Sequence, residues 1–132
     1  GRVWLHRMKT KYGLQLFVKS KIGKGFCLNH YGNIIINQGA TIGENCNISQ
    51  GVTVGYVSRG KYKGYPTIGD RVWIGPNAVV VGSIKIGNDV LIAPLTYVNR
   101  DIPDKAVVSG NPFKIHNYKG SGVYVKNLYT SD

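Results

Sequence analysis

Aliphatic residues return every six positions through most of this chain, and few folds accommodate that period. One series runs Ile36, Ile42, Ile48, Val54. It resumes as Ile68, Ile74, Val80, Ile86, Ile92, Val98, and Ile22 and Leu28 keep the same spacing ahead of it. The residue after each anchor is small in most repeats: Gly23, Gly43, Ser49, Gly55, Gly69, Gly75, Gly87, Ala93. Four positions after each anchor stands a small or β-branched residue, as at Ala40, Cys46, Val52, Val72, Ala78, Ile84, Val90 and Thr96. Amphipathic helices repeat near 3.6 residues and half-buried strands at 2. A period of six matches neither, but it matches hexapeptide repeats, whose short strands stack into a β-helix. The expected fold class is therefore all-β. An ordinary antiparallel β protein with glycine-rich turns would not hold ten anchors in phase.

Three hexads close one triangular coil, with the anchor pointing inward onto the anchors of neighbouring coils. Glycine after the anchor permits positive φ or close backbone approach. Asn45, Asp70, Asn77, Asn88 and Asp89 stand at turn positions and tolerate similar conformations. A single coil cannot bury its own anchors, so stability comes from stacking. Two phase breaks mark departures from the prism. The step from Leu28 to Ile36 carries two extra residues, near His30 to Asn33. The step from Val54 to Ile68 spans YVSRGKYKGYP, residues 56–66, which lacks inward aliphatics and reads as an excursion loop. Loops on rigid scaffolds commonly carry recognition. The expected organisation is an N-terminal segment over residues 1–20, with a short amphipathic helix near residues 3–12. The repeat domain follows over 21–115, and a polar tail over 116–132.

Composition narrows the function classes. The chain has 132 residues, one domain's length, and a net charge of +11 from 17 Lys and Arg against 6 Asp and Glu. Such a field attracts anions. No helix-turn-helix, zinc finger or RNA-binding signature is present, so nucleic acid is not an expected partner. No run reaches membrane-spanning length, and GRVWLHRMKT lacks the apolar core of a secretory signal. The opening Gly1, without Met, suggests a tag remnant or a truncated chain. Cys27 and Cys46 form no CxxC motif, and the histidines are scattered, so no metal is expected. A reducing cytoplasmic setting follows as the default.

The blocks IGKGFCLNHYGNIIINQGATIGENCNISQGVTVG and TIGDRVWIGPNAVVVGSIKIGNDVLIAPLTYVNRDIPDKAVVSGNPFK resemble the hexapeptide acyltransferases. Within them the chain is most similar to the serine-acetyltransferase-like group. That group includes the O-acetyltransferases of bacterial capsule and exopolysaccharide clusters, such as those of colanic acid synthesis, and KYGLQL resembles that polysaccharide branch. The resemblance covers residues 11–115; its most specific pieces are NHYGNIIIN, GVTVG and VVSGNPFK. It implies a left-handed parallel β-helix, a homotrimer with active sites between neighbouring prisms, and acetyl-CoA as co-substrate.

Carried over residue by residue, the resemblance makes His30, on the out-of-phase turn LNHYGN, the catalytic base. A neutral imidazole can take the proton of an acceptor hydroxyl, which then attacks the acetyl thioester. Without the resemblance, His30 reads as a surface turn histidine; His6 and His116 read as solvated surface groups. Gly75 and Pro76, with Ala93 and Pro94, match coil edges that contact the pantetheine arm. Proline has no N–H, so its contact there would be a carbonyl. Lys114 matches a basic residue near the CoA phosphates. Asn29, Arg59, Lys61 and Tyr65 are expected to line the acceptor site, with Lys63 adding to the basic loop. The chain departs from serine acetyltransferases at three places. Gln15 and Asn29 stand where carboxylates support the histidine, and Tyr65 replaces a second histidine before Pro66.

These departures favour a larger acceptor. The leading expectation is an O-acetyltransferase acting on a saccharide in capsule or exopolysaccharide synthesis, associated with its membrane-bound machinery. A serine O-acetyltransferase of cysteine synthesis is the alternative, and a non-catalytic binding or scaffold trimer the third.

Overall fold

The computed structural model describes residues 14–16 (main chain), 21–28 and 32–125. Short strands wind round a three-sided prism, the left-handed parallel β-helix expected from the repeats. Face A stacks β1 (Leu14–Leu16), β4 (Ile34–Ile36), β7 (Thr53–Gly55), β10 (Val79–Val81) and β13 (Tyr97–Val98). Face B stacks β2 (Lys21–Ile22), β5 (Thr41–Ile42), β8 (Thr67–Ile68) and β11 (Lys85–Ile86). Face C stacks β3 (Cys27–Leu28), β6 (Asn47–Ile48), β9 (Trp73–Ile74), β12 (Leu91–Ile92) and β14 (Val107–Gly110). β15 (Phe113–Asn117) then turns back antiparallel on β14. The helix expected near residues 3–12 lies outside the described residues.

Register explains why the six-residue period survives. Ile36 pairs with Val54 and Val54 with Val80; Ile42 pairs with Ile68 and Ile68 with Ile86; Ile48 pairs with Ile74 and Ile74 with Ile92. Each anchor therefore sits on an anchor of the next coil, and all ten from Ile36 to Val98 are at most 2% exposed. The second inward set, Ala40, Cys46, Val52, Val72, Ala78, Ile84, Val90 and Thr96, is equally buried. Burial pushes the Cys46 thiol up to about 11, while its Sγ lies 3.1 Å from the Gly69 carbonyl oxygen. Its role is that of a small packing group.

Corners divide the turn chemistry differently from the expectation. Asn45, Asn77 and Asp89 do adopt positive φ, but Asp70 and Asn88 do not. Their side chains accept hydrogen bonds from the coil before: Glu44 N–H donates to Asp70 Oδ1 and Asp70 N–H to Asn88 Oδ1, each at 2.8 Å. Positive φ falls one residue later in each turn, on Arg71 and Asp89. Glycine after the anchor serves close stacking. A Cβ on Gly43 would meet the Gly69 carbonyl at 2.5 Å and the Asp70 carboxylate.

The chain after β15 folds back along the B–C corner. Gly120 N–H donates to the Lys105 carbonyl and Ser121 N–H to that of Asp89, while the Ser121 hydroxyl donates to that of Arg71. Tyr124 stacks on Trp73 with centroids 4.7 Å apart. Beneath this strap Arg71 forms a two-pronged ion pair with Asp89, at 2.7 and 3.1 Å.

Two outcomes follow. Gly43→Ala should cost about 1–3 kcal/mol through overpacking, read as a fall of several degrees in Tm. The Arg71 guanidinium holds the Asp89 carboxyl below its ordinary range. A lowered folded pKa stabilises above the unfolded value, about 3.9, and that stability fades as pH falls through the folded value. Both side chains are about a third exposed, so solvent screening limits the pair to about 1 kcal/mol. Asp89→Asn should flatten the acid limb of urea midpoint against pH below about pH 4; an unaltered acid limb would show the pair to be inert.

Candidate functional site

The corner between faces C and A gathers most of the residues that the sequence points to. Leu28 and Gly32, the described flanks of residues 29–31, stand at its first coil. His30 and Asn29 themselves lie outside the described residues. Gln50 and Gly51 occupy the next coil, then Gly75, Pro76 and Asn77, then Ala93, Pro94 and Leu95. Main-chain bonds tie this column together: Asn77 N–H donates to the Gln50 carbonyl and Leu95 N–H to that of Pro76, both at 3.0 Å. The turn from β14 to β15 closes the same edge, and Lys114, exposed and opposite Ser109, follows it.

Main-chain groups along this edge are largely committed to the fold. Gly75 N–H bonds the Ile92 carbonyl at 2.8 Å, and Ala93 N–H bonds that of Val108 at 3.0 Å. The Ala93 carbonyl accepts the Thr96 hydroxyl at 2.6 Å. A Cβ on Gly75 would meet Pro94 N at 2.6 Å and the Trp73 ring at 2.9 Å. Glycine at this position therefore answers to the protein's own packing. Carbonyl oxygens keep a second lone pair for a ligand donor; the N–H groups of Gly75 and Ala93 are taken.

Two side chains at the edge escaped the sequence reading. Arg100 lies 4.4 Å over the Phe113 ring and donates to the Phe113 carbonyl at 2.9 Å, which sets a second cation beside Lys114. Its chain position, after β13 on another corner, gave no sign of this. Gln50 is partly buried, and its Oε1 is a buried acceptor without a hydrogen-bond partner. A polar residue two places after an anchor is common in this chain, so the pattern did not single it out.

Tyr65, Arg59 and Lys61 lie elsewhere. The excursion replaces the corner between faces A and B. It is a hairpin: Val57 and Gly64 exchange main-chain bonds at 3.0 and 2.9 Å. Tyr62 packs against the core and its carbonyl accepts Ser83 N–H at 2.7 Å. Arg59, Lys61 and Lys63 stand exposed on the hairpin, with the Lys61 ammonium 5.5 Å over the Tyr62 ring. Tyr65 lies flat against Gly39, where a Cβ would run into the ring, and packs on Tyr56 at 4.8 Å between centroids. Face A separates this corner from the C–A edge, so one chain does not bring the two groups together.

Charge is segregated by corner. Glu44, Asp70, Asp89 and Asp104 line the B–C corner, and Asp101 bonds Lys85 N–H on the face B side. No carboxylate of the described residues stands on the C–A edge. A surface depression of about 390 Å³, lined by Lys85, Gly87, Asp101, Ile102, Pro103 and Asp104, lies on face B away from that edge. Among the described residues no group of three or more His, Cys, Asp or Glu could hold a metal ion. No helix among them is long and apolar enough to cross a membrane.

Residues 65–100 match the bacterial transferase hexapeptide family of six repeats. The serine acetyltransferase of Staphylococcus aureus is 37% identical over 117 residues, which are 89% of this chain and 54% of that protein. In solved structures, the serine acetyltransferase of Neisseria gonorrhoeae in complex with serine superposes with a TM-score of 0.75 at 34% identity, over 89% of this chain and 50% of that one. The Brucella abortus serine acetyltransferase in complex with coenzyme A gives 0.80 at 26% identity, over 87% and 46%. This chain spans between 31% and 54% of the length of the curated relatives it matches.

These likenesses overturn the expected saccharide acceptor and its role in capsule or exopolysaccharide synthesis. Relatives 31–37% identical over most of the chain are serine acetyltransferases. The expectation rested on Tyr65 standing where those enzymes carry a second histidine, and that one substitution does not decide the acceptor. The Tyr65 ring packs on Gly39 and Tyr56. Accordingly, Tyr65→Phe should leave Tm within about 1 °C, whereas Tyr65→Ala should cost about 2 kcal/mol. Equal thermal scans for both variants would contradict the packing role.

Proposed function

We propose that this chain, a hexapeptide-repeat acyltransferase, moves the acetyl group of acetyl-CoA to the hydroxyl of L-serine. The observation that carries this reading is the assembly of one edge. Gly32, the corners at Gly75–Pro76 and Ala93–Pro94, and the cations Lys114 and Arg100 all fall along it. That order suits an extended thioester: phosphates by the cations, the pantetheine arm along the carbonyls, and the acetyl group towards the turn that bears His30.

In this reading His30 removes the serine hydroxyl proton as the oxygen attacks the thioester carbon. The carbonyl electron pair moves onto its oxygen, giving a tetrahedral oxyanion that hydrogen-bond donors stabilise. Collapse re-forms the carbonyl and breaks the carbon–sulfur bond; the thiolate takes the proton held by His30, leaving O-acetylserine and CoA. Gln15 and Asn29 can orient an imidazole, though they bring no charge to it.

The excursion corner is supplied to this edge by a neighbouring copy. Tyr65, Arg59 and Lys61 would then border the acceptor within a homotrimer, across face A, whose outward row Ile35, Thr53, Val79 and Tyr97 bears no charge. A cytoplasmic setting is proposed with it, since neither cysteine forms a disulfide.

Thiol release from acetyl-CoA should depend on L-serine. His30→Ala should lower turnover about 10²–10⁴-fold without changing Tm. A fully active variant would remove His30 from the mechanism, and release without any need for serine would remove the acceptor.

A further inference from the structure

We infer that the side-chain carbonyl of Gln50 accepts a hydrogen bond from an amide N–H of the pantetheine arm, which makes Gln50 a binding residue for the acyl donor. This inference rests on the acetyl-CoA reading above. Its ground is the one buried side-chain acceptor among the described residues that has no partner, Gln50 Oε1. Buried polar atoms are nearly always paired, and a native exception calls for a reason.

Packing fixes the side chain where it stands. A Cβ on Gly32 would lie 3.0 Å from Gln50 Cβ, so the Gln50 stem rests directly on the Gly32 main chain. On the other side the Gln50 carbonyl receives Asn77 N–H at 3.0 Å, which ties its backbone to the coil of Gly75 and Pro76. Gln50 thus sits between Gly32 and the first of the two corners proposed for the pantetheine arm.

The missing partner must be a donor, and four of the edge's own N–H groups are spent. Those of Gly75, Asn77, Ala93 and Leu95 already bond main-chain carbonyls. Two donor chemistries could arrive with substrates: the secondary amides of the pantetheine arm, or the ammonium of an amino-acid acceptor. An ammonium removed from water requires a compensating charge, and no carboxylate of the described residues lies on this edge. A neutral amide N–H needs only a neutral carbonyl, which is what Gln50 presents.

Calorimetric titration with CoA, run beside thermal scans, tests this on the parent and on Gln50→Met and Gln50→Leu. These variants keep the bulk and remove the acceptor. Both should bind CoA about tenfold more weakly, the size of one net hydrogen bond. Their Tm should hold or rise, because an unpaired buried acceptor has gone, and the KM for L-serine should stay within about twofold of the parent. Parent-like CoA affinity in the variants would overturn the inference while leaving the donor reading intact. A raised KM for serine with unchanged CoA affinity would overturn it in favour of the ammonium. A loss of CoA affinity matched by a Tm fall of several degrees would overturn it in favour of a structural role. Failure of the parent itself to bind CoA would remove the donor reading and this inference together.

Discussion

Everything in this structure depends on coils stacking at backbone contact. Inward aliphatics meet aliphatics only if each coil repeats the path of the last, and that path is held by main-chain bonds from every face to the next coil. The N–H of Gly43 reaches Ile68, that of Gly69 reaches Ile86, and that of Gly87 reaches Ile102, at 2.8–2.9 Å. So close an approach leaves no room for a Cβ after the anchor on this corner. The six-residue period, the small residue after it and the buried column are one constraint seen at three levels. Burial of the ten anchors supplies the favourable free energy, roughly 1.5–3 kcal/mol for each aliphatic side chain.

Once the interior is fixed, the three corners are left to differ. On the B–C corner, side chains of Asp70, Asn88 and Asp104 accept main-chain N–H groups from the coil before, and the strap of Gly120–Val125 bonds the carbonyls of Arg71, Asp89 and Lys105 next to them. On the A–B corner the repeat opens into a hairpin anchored by Tyr62 and Tyr65. Only the C–A corner keeps a column of bare turns from Gly32 to Leu95, closed at one end by Lys114 and Arg100. That edge offers carbonyl oxygens along its length and cations where it ends, the two features on which the proposed thioester site rests.

The repeat made the fold legible. Register, the buried set and the excursion all follow from counting sixes, since the period is a direct image of the stacking. Turn conformations were less legible. Asp70 and Asn88 looked like left-handed residues, but the carboxylate and amide serve as acceptors, and Arg71 bends instead. The acceptor was misjudged because one substitution, at position 65, does not decide which hydroxyl a cleft accepts. What the Tyr65 ring packs on was hidden as well, since Gly39 is distant in sequence. Arg100 and Gln50 were missed for the same reason. One reaches the edge from another corner, and the other looks like any polar turn residue until its unpaired oxygen is seen.

Amide hydrogen exchange with and without CoA tests the central claim, that the C–A corner is the donor edge. The account predicts slowed exchange in segments 49–51, 75–77, 93–95 and 110–114, with the B–C turns at 43–45, 69–71 and 87–89 unchanged. Protection confined to the B–C turns or to the face B depression, with the C–A column unaffected, would contradict it.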